Sequence, residues 1–352
     1  MVRGLTPVPA YMLHQVDVPQ FEALCASLAE RHIRSITFPE LLAGHGDENS
    51  ILLTFDDGWS SVWSAAAPIA NRYGVRFTLF LAPMCVEESL EIRTTLATGA
   101  SADEITPRDL GPRARLTWGE VLALQMTGLV DIQSHSSHHG VAFKSPRPKG
   151  FMTPSGPFPL NGLAPLLQRE AADDSVQFRP ALGTPLYEWG PALTVGRRFL
   201  ESHEIRAKCT LLAREPGFFE RHNWLSLLTT IAHDAPENWE SDEERRERLR
   251  KDLAGSRKMI ETRVPGTQVT VFAPPWAEID PMLAEVARDV GYELVVLGYP
   301  FHVRHLERAP PLYPRLFGDA SWIPALGTLR GAPRWWQART RALERRRAGA
   351  IP

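Results

Sequence analysis

The sequence predicts an α/β fold built on parallel strands, from two observations. First, short apolar runs alternate with helical patterns along the first 82 residues, which is the order that parallel strands and crossover helices produce. Second, residues 51–55 are apolar or β-branched throughout, which is typical of a strand buried on both faces. That strand ends in Asp56, Asp57 and Gly58. The carboxyl ends of such strands commonly carry the chemistry of an α/β fold, although Asp-Gly is also typical of a plain turn.

The predicted elements of the first half follow one another in a regular order. Strands are predicted at 8–16, 33–38, 51–55, 76–82 and 129–133. Helices are predicted from Pro19, from Pro39, over 59–73 and from Thr117, where Thr117 and Glu120 form a capping box. Residues 84–115 mix Glu, Thr, Gly and Pro, and we interpret them as an excursion from the core.

The second half is less regular. Residues 144–165 are rich in Pro, Gly, Lys and Ser and show no period, so a long loop is predicted. Helices are predicted at 192–202, at about 218–231, from a capping box at Ser241 to about 262, and at 281–290. Strands are predicted at 267–273 and 292–297.

Composition argues against several classes of protein. Lys plus Arg number 39 and Asp plus Glu number 41, and this balance argues against a nucleic-acid binder. The three cysteines show neither a disulfide framework nor metal-ligand spacing, so they are interpreted as reduced thiols. The sequence contains no run of about 18 apolar residues, so no membrane-spanning helix is predicted. Because no apolar stretch follows Arg3, we expect no signal peptide and a cytoplasmic protein.

The segment 329–352 forms a basic C-terminal tail in which Trp335 and Trp336 stand among arginines and Glu344 is the single acidic residue. Such a stretch can make peripheral contact with an anionic membrane surface. A solvated terminal helix whose tryptophans pack on the domain is the favoured interpretation, because the apolar face is short.

The residues that carry chemistry follow two strand ends. His135 and His139 come directly after the strand 129–133, and imidazoles at this spacing can reach one metal ion if the backbone turns helically between them. His138 could take the place of His139, and histidines of an ordinary loop are a further alternative. One Asp of the 56–57 pair with two His would leave coordination positions open, as a catalytic metal needs. The second Asp could then accept a proton.

These stretches together resemble the polysaccharide deacetylase family, which includes chitin, peptidoglycan and poly-N-acetylglucosamine deacetylases. Residues 54–58 (TFDDG) are similar to the first motif of the family, and residues 135–139 (HSSHH) are similar to its second motif. Residues 272–276 (FAPPW) stand where the third motif is found. The resemblance implies a distorted (β/α) barrel of about seven parallel strands.

The resemblance also implies the roles of individual residues. Asp57, His135 and His139 would bind one divalent metal ion, usually zinc. Asp56 would be the catalytic base. The third motif assigns Pro275 and Trp276 to substrate binding.

Two departures from the family pattern concern the acid–base residues. In many members the third motif carries an arginine that orients the base, and here Ala273 takes that place. For the late general-acid histidine we predict His302, with His305 and His14 as alternatives and a surface loop as the plain interpretation of His302.

The connection after His139 is longer than the core of the family requires, so we expect residues 141–262 to be an insertion in a catalytic domain that spans 1–328. The predicted function is metal-dependent removal of an N-acyl group, usually acetyl, from an amino-sugar-containing small molecule or glycan made inside the cell. Alternatives are an amide or cyclic-imide hydrolase on the same scaffold and a catalytically inactive protein that binds a glycan or a metal.

Overall fold

The computed structural model describes residues 8–111, 113–158, 181–233, 238–298 and 309–317. The chain divides into two compact units. The first consists of Met1–His138 and Asp252–Pro352, and the second of His139–Lys251.

Eleven strands and nine α-helices lie in the described residues. The strands are β1 (Ala10–Leu13), β2 (Arg34–Ile36), β3 (Ser50–Asp56), β4 (Phe77–Leu81), β5 (Val130–Ser134), β6 (Val141–Thr153), β7 (Gly156–Phe158), β8 (Pro185–Pro191), β9 (Val271–Phe272), β10 (Leu294–Gly298) and β11 (Leu312–Phe317). The helices are α1 (Val18–Glu30), α2 (Phe38–Leu42), α3 (Ala67–Tyr73), α4 (Ala102–Asp109), α5 (Trp118–Met126), α6 (His203–Leu212), α7 (Trp224–His233), α8 (Asp242–Arg263) and α9 (Pro281–Val290). None of these helices is long and apolar enough to cross a membrane.

The first unit is built around seven parallel strands that close into a barrel. Their order is β1-β11-β10-β9-β5-β4-β3, and β3 returns to pair with β1. The strand β2 pairs with the first residues of β3. Every residue of β3, β4 and β10 is buried, as the predominantly apolar sequences of these strands predict. The predicted barrel of about seven parallel strands is confirmed.

The seam between β5 and β9 depends on a side chain, because these two strands share a single register pair, Ser134 with Phe272. Gln133 is fully buried there. Its Oε1 accepts hydrogen bonds from the backbone N–H groups of Thr270 (3.0 Å) and Val271 (2.9 Å). Its Nε2 donates to the carbonyl oxygen of Gln268. The amide thus replaces the ladder hydrogen bonds that the short strand β9 lacks.

The second unit contains a three-stranded antiparallel sheet in the order β7-β6-β8. One cluster of buried side chains joins the sheet residue Phe151 to Ile205 and Cys209 of α6 and to Leu228 of α7. A second cluster stacks Tyr187 edge-on against Phe143 and Phe199. Helix α8 begins in this unit and continues in the first unit from Asp252 onward.

Two predictions in the second unit were wrong. Residues 192–202 do not form a helix: they make turns after β8, and Gly196 has a φ of +80°, which a helix does not allow. The helix α6 starts only at His203, where Ser202 accepts a hydrogen bond from the N–H of Ile205. The predicted loop from residue 144 is also wrong, because residues 144–153 belong to β6.

The predicted helix at 59–73 forms with an irregular first half. Val62–Ala66 makes a π-helical turn, in which Ala67 N–H donates to the carbonyl of Val62, and α3 follows. Pro68 offers a reason, because proline lacks an N–H and its ring clashes with the carbonyl four residues earlier, so the backbone widens before it. Strand β11 was not predicted from the sequence.

Candidate metal and catalytic site

Asp57, His135 and His139 lie together at the carboxyl ends of β3 and β5. One ligand atom from each side chain lies within 4.8 Å of the other two. Asp57 Oδ1 is 3.2 Å from His135 Nε2. Because parallel strands of a barrel end at one mouth, residues 78 positions apart in the chain meet here. His138 is outside this group, so the structure favours His139 over His138 as the second imidazole.

The backbone of the site is strained at several points. Among the described residues, six other than glycine have a left-handed φ, and five of them follow the ends of β3, β5 and β9. These five are Asp57 (72°), Ser136 (66°), His139 (49°), Trp276 (55°) and Ala277 (57°). Each such conformation costs on the order of 1 kcal/mol or more and persists only where surrounding contacts enforce it. Backbone strain of this kind is concentrated at functional sites, so the position of these five residues indicates a functional site at this end of the barrel.

The ring of His135 is oriented by the backbone of the third motif. Its Nδ1 lies 2.7 Å from the carbonyl oxygen of Ala273. A carbonyl only accepts, so Nδ1 carries the hydrogen, and in the neutral imidazole the lone pair is then on Nε2, the atom that lies 3.2 Å from Asp57 Oδ1. Ala273 therefore contributes a backbone oxygen in place of a side chain.

Two carboxylates, those of Asp56 and Asp57, act on the His135 imidazole. Burial by itself disfavours protonation of His135, but the neighbouring Asp56 and Asp57 carboxylates outweigh it and raise the pKa of the imidazole above its ordinary value. The Asp57 carboxylate beside two imidazoles also favours a bound cation. Two imidazoles and one carboxylate form a donor set that suits zinc and leaves further coordination positions open. The three residues therefore fit a divalent metal ion.

Asp56, the other half of the carboxylate pair, binds a different partner. Both it and Arg315 of β11 are almost completely buried. Arg315 Nη1 donates to Asp56 Oδ1 (2.6 Å), and Nη2 donates to Asp56 Oδ2 (2.9 Å). This two-point contact fixes the plane of the Asp56 carboxylate. Arg315 Nη1 also donates to Thr54 Oγ1 (2.9 Å), and the guanidinium lies over the ring of Phe80 at 4.8 Å.

Arg315 is a residue of the candidate site that was not predicted from the sequence. The expected place for an arginine beside the base was Ala273, and the structure instead supplies one from the last barrel strand. A charged residue inside the apolar run 312–317 was the available signal. Pro314 obscured it, because proline argues against a strand inside a sheet.

Comparison with known proteins agrees with this geometry. Residues 43–151, which include Asp56, Asp57, His135 and His139, match the model of the polysaccharide deacetylase family. This stretch of the chain is similar to a polysaccharide deacetylase domain. The resemblance inferred from the motifs is thereby confirmed. No curated protein sequence matches the chain.

Solved structures show the same fold as this chain. One is a de-N-acetylase from Aggregatibacter actinomycetemcomitans, with 14% identity, coverage of 89% of this chain and 95% of that chain, and a TM-score of 0.51. Another is the deacetylase domain of BpsB from Bordetella bronchiseptica, with 16% identity, coverage of 89% and 96%, and a TM-score of 0.51. At these identities the likeness concerns the fold alone.

Asp57, in the first motif, is held by neighbouring side chains. Trp59 Nε1 donates to Asp57 Oδ2 at 3.1 Å. The guanidinium of Arg115 lies 4.0 Å above the indole ring of Trp59, and Arg115 Nη1 donates to the backbone carbonyl of Asp57. These contacts fix Asp57 with Oδ1 directed toward His135, even though its backbone is left-handed.

The predicted substrate-binding residues, Pro275 and Trp276, lie in the third motif. Pro275 is buried, and Trp276 exposes 43% of its surface after the end of β9. His14 is exposed just beyond the end of β1, so it lies at the same mouth of the barrel. His302, His305 and the basic tail 329–352 lie outside the described residues.

Proposed function

We propose that this chain is a metal-dependent hydrolase that removes an N-acyl group, with acetyl as the expected acyl, from an amino-sugar-containing substrate. One observation carries the proposal: two adjacent carboxylates are assigned to different tasks by different partners. Asp57 faces His135, and Asp56 is clamped by Arg315. The match to the polysaccharide deacetylase family supports the class of substrate.

Asp57, His135 and His139 would hold the metal ion, and their donor atoms favour zinc. A divalent cation bound there polarises the acyl carbonyl and lowers the pKa of water. The residues of the chain perform the proton transfers and position the substrate.

Asp56 is the proposed general base. Its carboxylate accepts the proton of the attacking water, and Arg315 keeps the carboxylate in one plane while this happens. The leaving amine then needs a proton. His302 remains the predicted donor, and His14 is the alternative among the described residues.

Trp276 is the proposed sugar-contacting residue. Its indole is exposed beside the site although its backbone is left-handed. An exposed aromatic face can stack on a pyranose ring, which would compensate for the cost of this conformation.

The test is release of acetate from a panel of N-acetylated amino sugars and their oligomers by zinc-loaded protein. We expect release by the wild-type chain, and an Asp56→Asn variant that retains zinc but is slower by a factor of about 10² or more, because it lacks the base. An Asp56→Asn variant as fast as wild type would remove Asp56 as the base. Ring opening of cyclic imides without acetate release would favour the imide hydrolase. A glycan that binds without turnover would favour an inactive binding protein.

A further inference from the structure

Asp252 of α8 contacts the turn that carries the two histidines of the proposed metal site. Asp252 Oδ1 accepts a hydrogen bond from the backbone N–H of Ser137 at 3.0 Å. Asp252 Oδ2 lies 3.0 Å from His138 Nδ1. The hydroxyl of Ser137 donates to the backbone carbonyl of Asp252 at 2.7 Å. One aspartate therefore binds both residues between the second motif's Ser136 and its final histidine.

Ser256 contacts the same turn from the next turn of the helix. Its hydroxyl donates to the carbonyl oxygen of Ser136 at 3.0 Å and lies 2.8 Å from Ser134 Oγ. Residues four apart project from one face of a helix. Helix α8 thus presents Asp252 and Ser256 together to residues 134–138.

The turn needs such support because its own backbone is unfavourable. Ser136 and His139 both have left-handed φ angles, and neither residue type adopts this conformation without cost. The contacts from Asp252 and Ser256 of α8 stabilise this backbone conformation, which the residues of the turn do not favour by themselves. In addition, His138 contacts Asp252 through Nδ1 and is not a member of the group formed by Asp57, His135 and His139.

We propose that Asp252 is a positioning residue for the metal ligands: it holds the 135–139 turn and binds His138, so that His139 and not His138 reaches the metal. This inference rests on the metal site of the proposed function. It answers the ambiguity between His138 and His139 that the sequence leaves open. It also gives a task to a carboxylate that lies outside the family motifs.

The test measures zinc affinity by competition with a chelator, together with the melting temperature of each metal-free protein. Asp252→Ala is expected to weaken zinc binding 10- to 100-fold, the range found when outer partners of metal ligands are removed. Asp252→Asn keeps an acceptor for the Ser137 N–H, so a smaller loss is expected, and this variant also reports if Asp252→Ala does not fold. Glu247→Gln, which breaks an exposed ion pair of the same helix, is the control and should bind zinc as wild type does.

The histidine variants test the choice of ligand. His139→Ala is expected to abolish zinc binding, whereas His138→Ala should reduce affinity by less than Asp252→Ala. The double variant, His138→Ala with Asp252→Ala, should bind zinc no more weakly than Asp252→Ala alone, because the two residues share one contact.

Three results would overturn the proposal. Unchanged zinc affinity in both Asp252 variants, with a lower melting temperature alone, would reduce Asp252 to a structural residue. Loss of zinc in His138→Ala but not in His139→Ala would reverse the choice of ligand. A wild-type protein that binds no zinc would refute the metal site itself and this inference with it, and that failure is distinct from the first two.

Discussion

Asp56 and Asp57 are neighbours in sequence, yet their side chains have separate surroundings. The left-handed backbone of Asp57 directs its carboxylate to His135, while Asp56 ends β3 and meets Arg315. A buried ion pair is weak evidence for stability, because desolvation offsets the attraction. At this position, next to the proposed metal, orientation of the base is the better explanation for the pair.

Arg315→Lys keeps the charge beside Asp56 but loses the two-point contact. We expect this variant to fold, to bind metal as wild type does, and to have a kcat lower by about 10²-fold, because a misplaced base is costly in the transition state. Steady-state kinetics with acetate detection measures the change. The control is Arg288→Lys, which alters an exposed pair with Asp289. An Arg315→Lys variant with an unchanged kcat would contradict the positioning role.

At the scale of single elements, the seam between β5 and β9 is the least regular part of the barrel, and Gln133 bridges it. Gln133→Met keeps the volume but leaves the N–H groups of Thr270 and Val271 without this acceptor. Each unsatisfied group costs about 1–3 kcal/mol, so a loss of about 2–6 kcal/mol in the free energy of unfolding is expected for the two groups. Chemical denaturation measures it.

Gln125→Met is the control for this substitution, because Gln125 is partly exposed and its side chain donates to the Pro265 carbonyl. Its expected cost is below about 1 kcal/mol. Equal losses for the two variants would show that the Gln133 bridge has no special part in closing the barrel.

Asp131 lies two residues before Gln133 on β5 and accepts a hydrogen bond from its Nε2. Asp131 makes the free energy of unfolding depend on pH. Burial raises its pKa to about 6, against the hydrogen bonds donated by Gln133 and Thr78. The folded chain therefore binds a proton between about pH 4 and 6 that the unfolded chain releases. Stability from this group is present below pH 4 and is lost as the pH rises through 6.

The neutral variant Asp131→Asn isolates this effect. Relative to the variant, wild type should lose about 1–3 kcal/mol of unfolding free energy between pH 4 and 6 and change little above that range. Paired denaturation curves across this range provide the measurement. A constant difference between the two proteins at every pH would contradict a raised pKa.

At the scale of the whole molecule, the predictable parts are those whose signals are local. The buried strands β3 and β4 are predominantly apolar, and α9 starts at a proline after the capping residue Asp280 and ends at Gly291. The sequence patterns of these elements therefore predict their structure from local residues alone. The pairing of Asp56–Asp57 with His135 and His139 was predictable because parallel strands bring their carboxyl ends together.

The unpredicted parts depend on partners that are distant in the chain. Arg315 is tolerated inside β11 because Asp56, 259 positions away, accepts its hydrogen bonds. The choice between His138 and His139 depends on Asp252, and no spacing rule within residues 135–139 contains that information. The false helix at 192–202 had a suitable apolar pattern, and the turns after β8 overrode it.

The central claim is that this chain is a deacetylase whose turnover needs one divalent metal at Asp57, His135 and His139. Its most direct test is acetate release from N-acetylated amino-sugar oligomers by protein stripped of metal, followed by addition of one equivalent of zinc. We predict loss of acetate release on stripping and recovery with that single equivalent. Stripped protein that releases acetate at the full rate, or zinc-loaded protein that releases none from any N-acetylated sugar, would contradict the account.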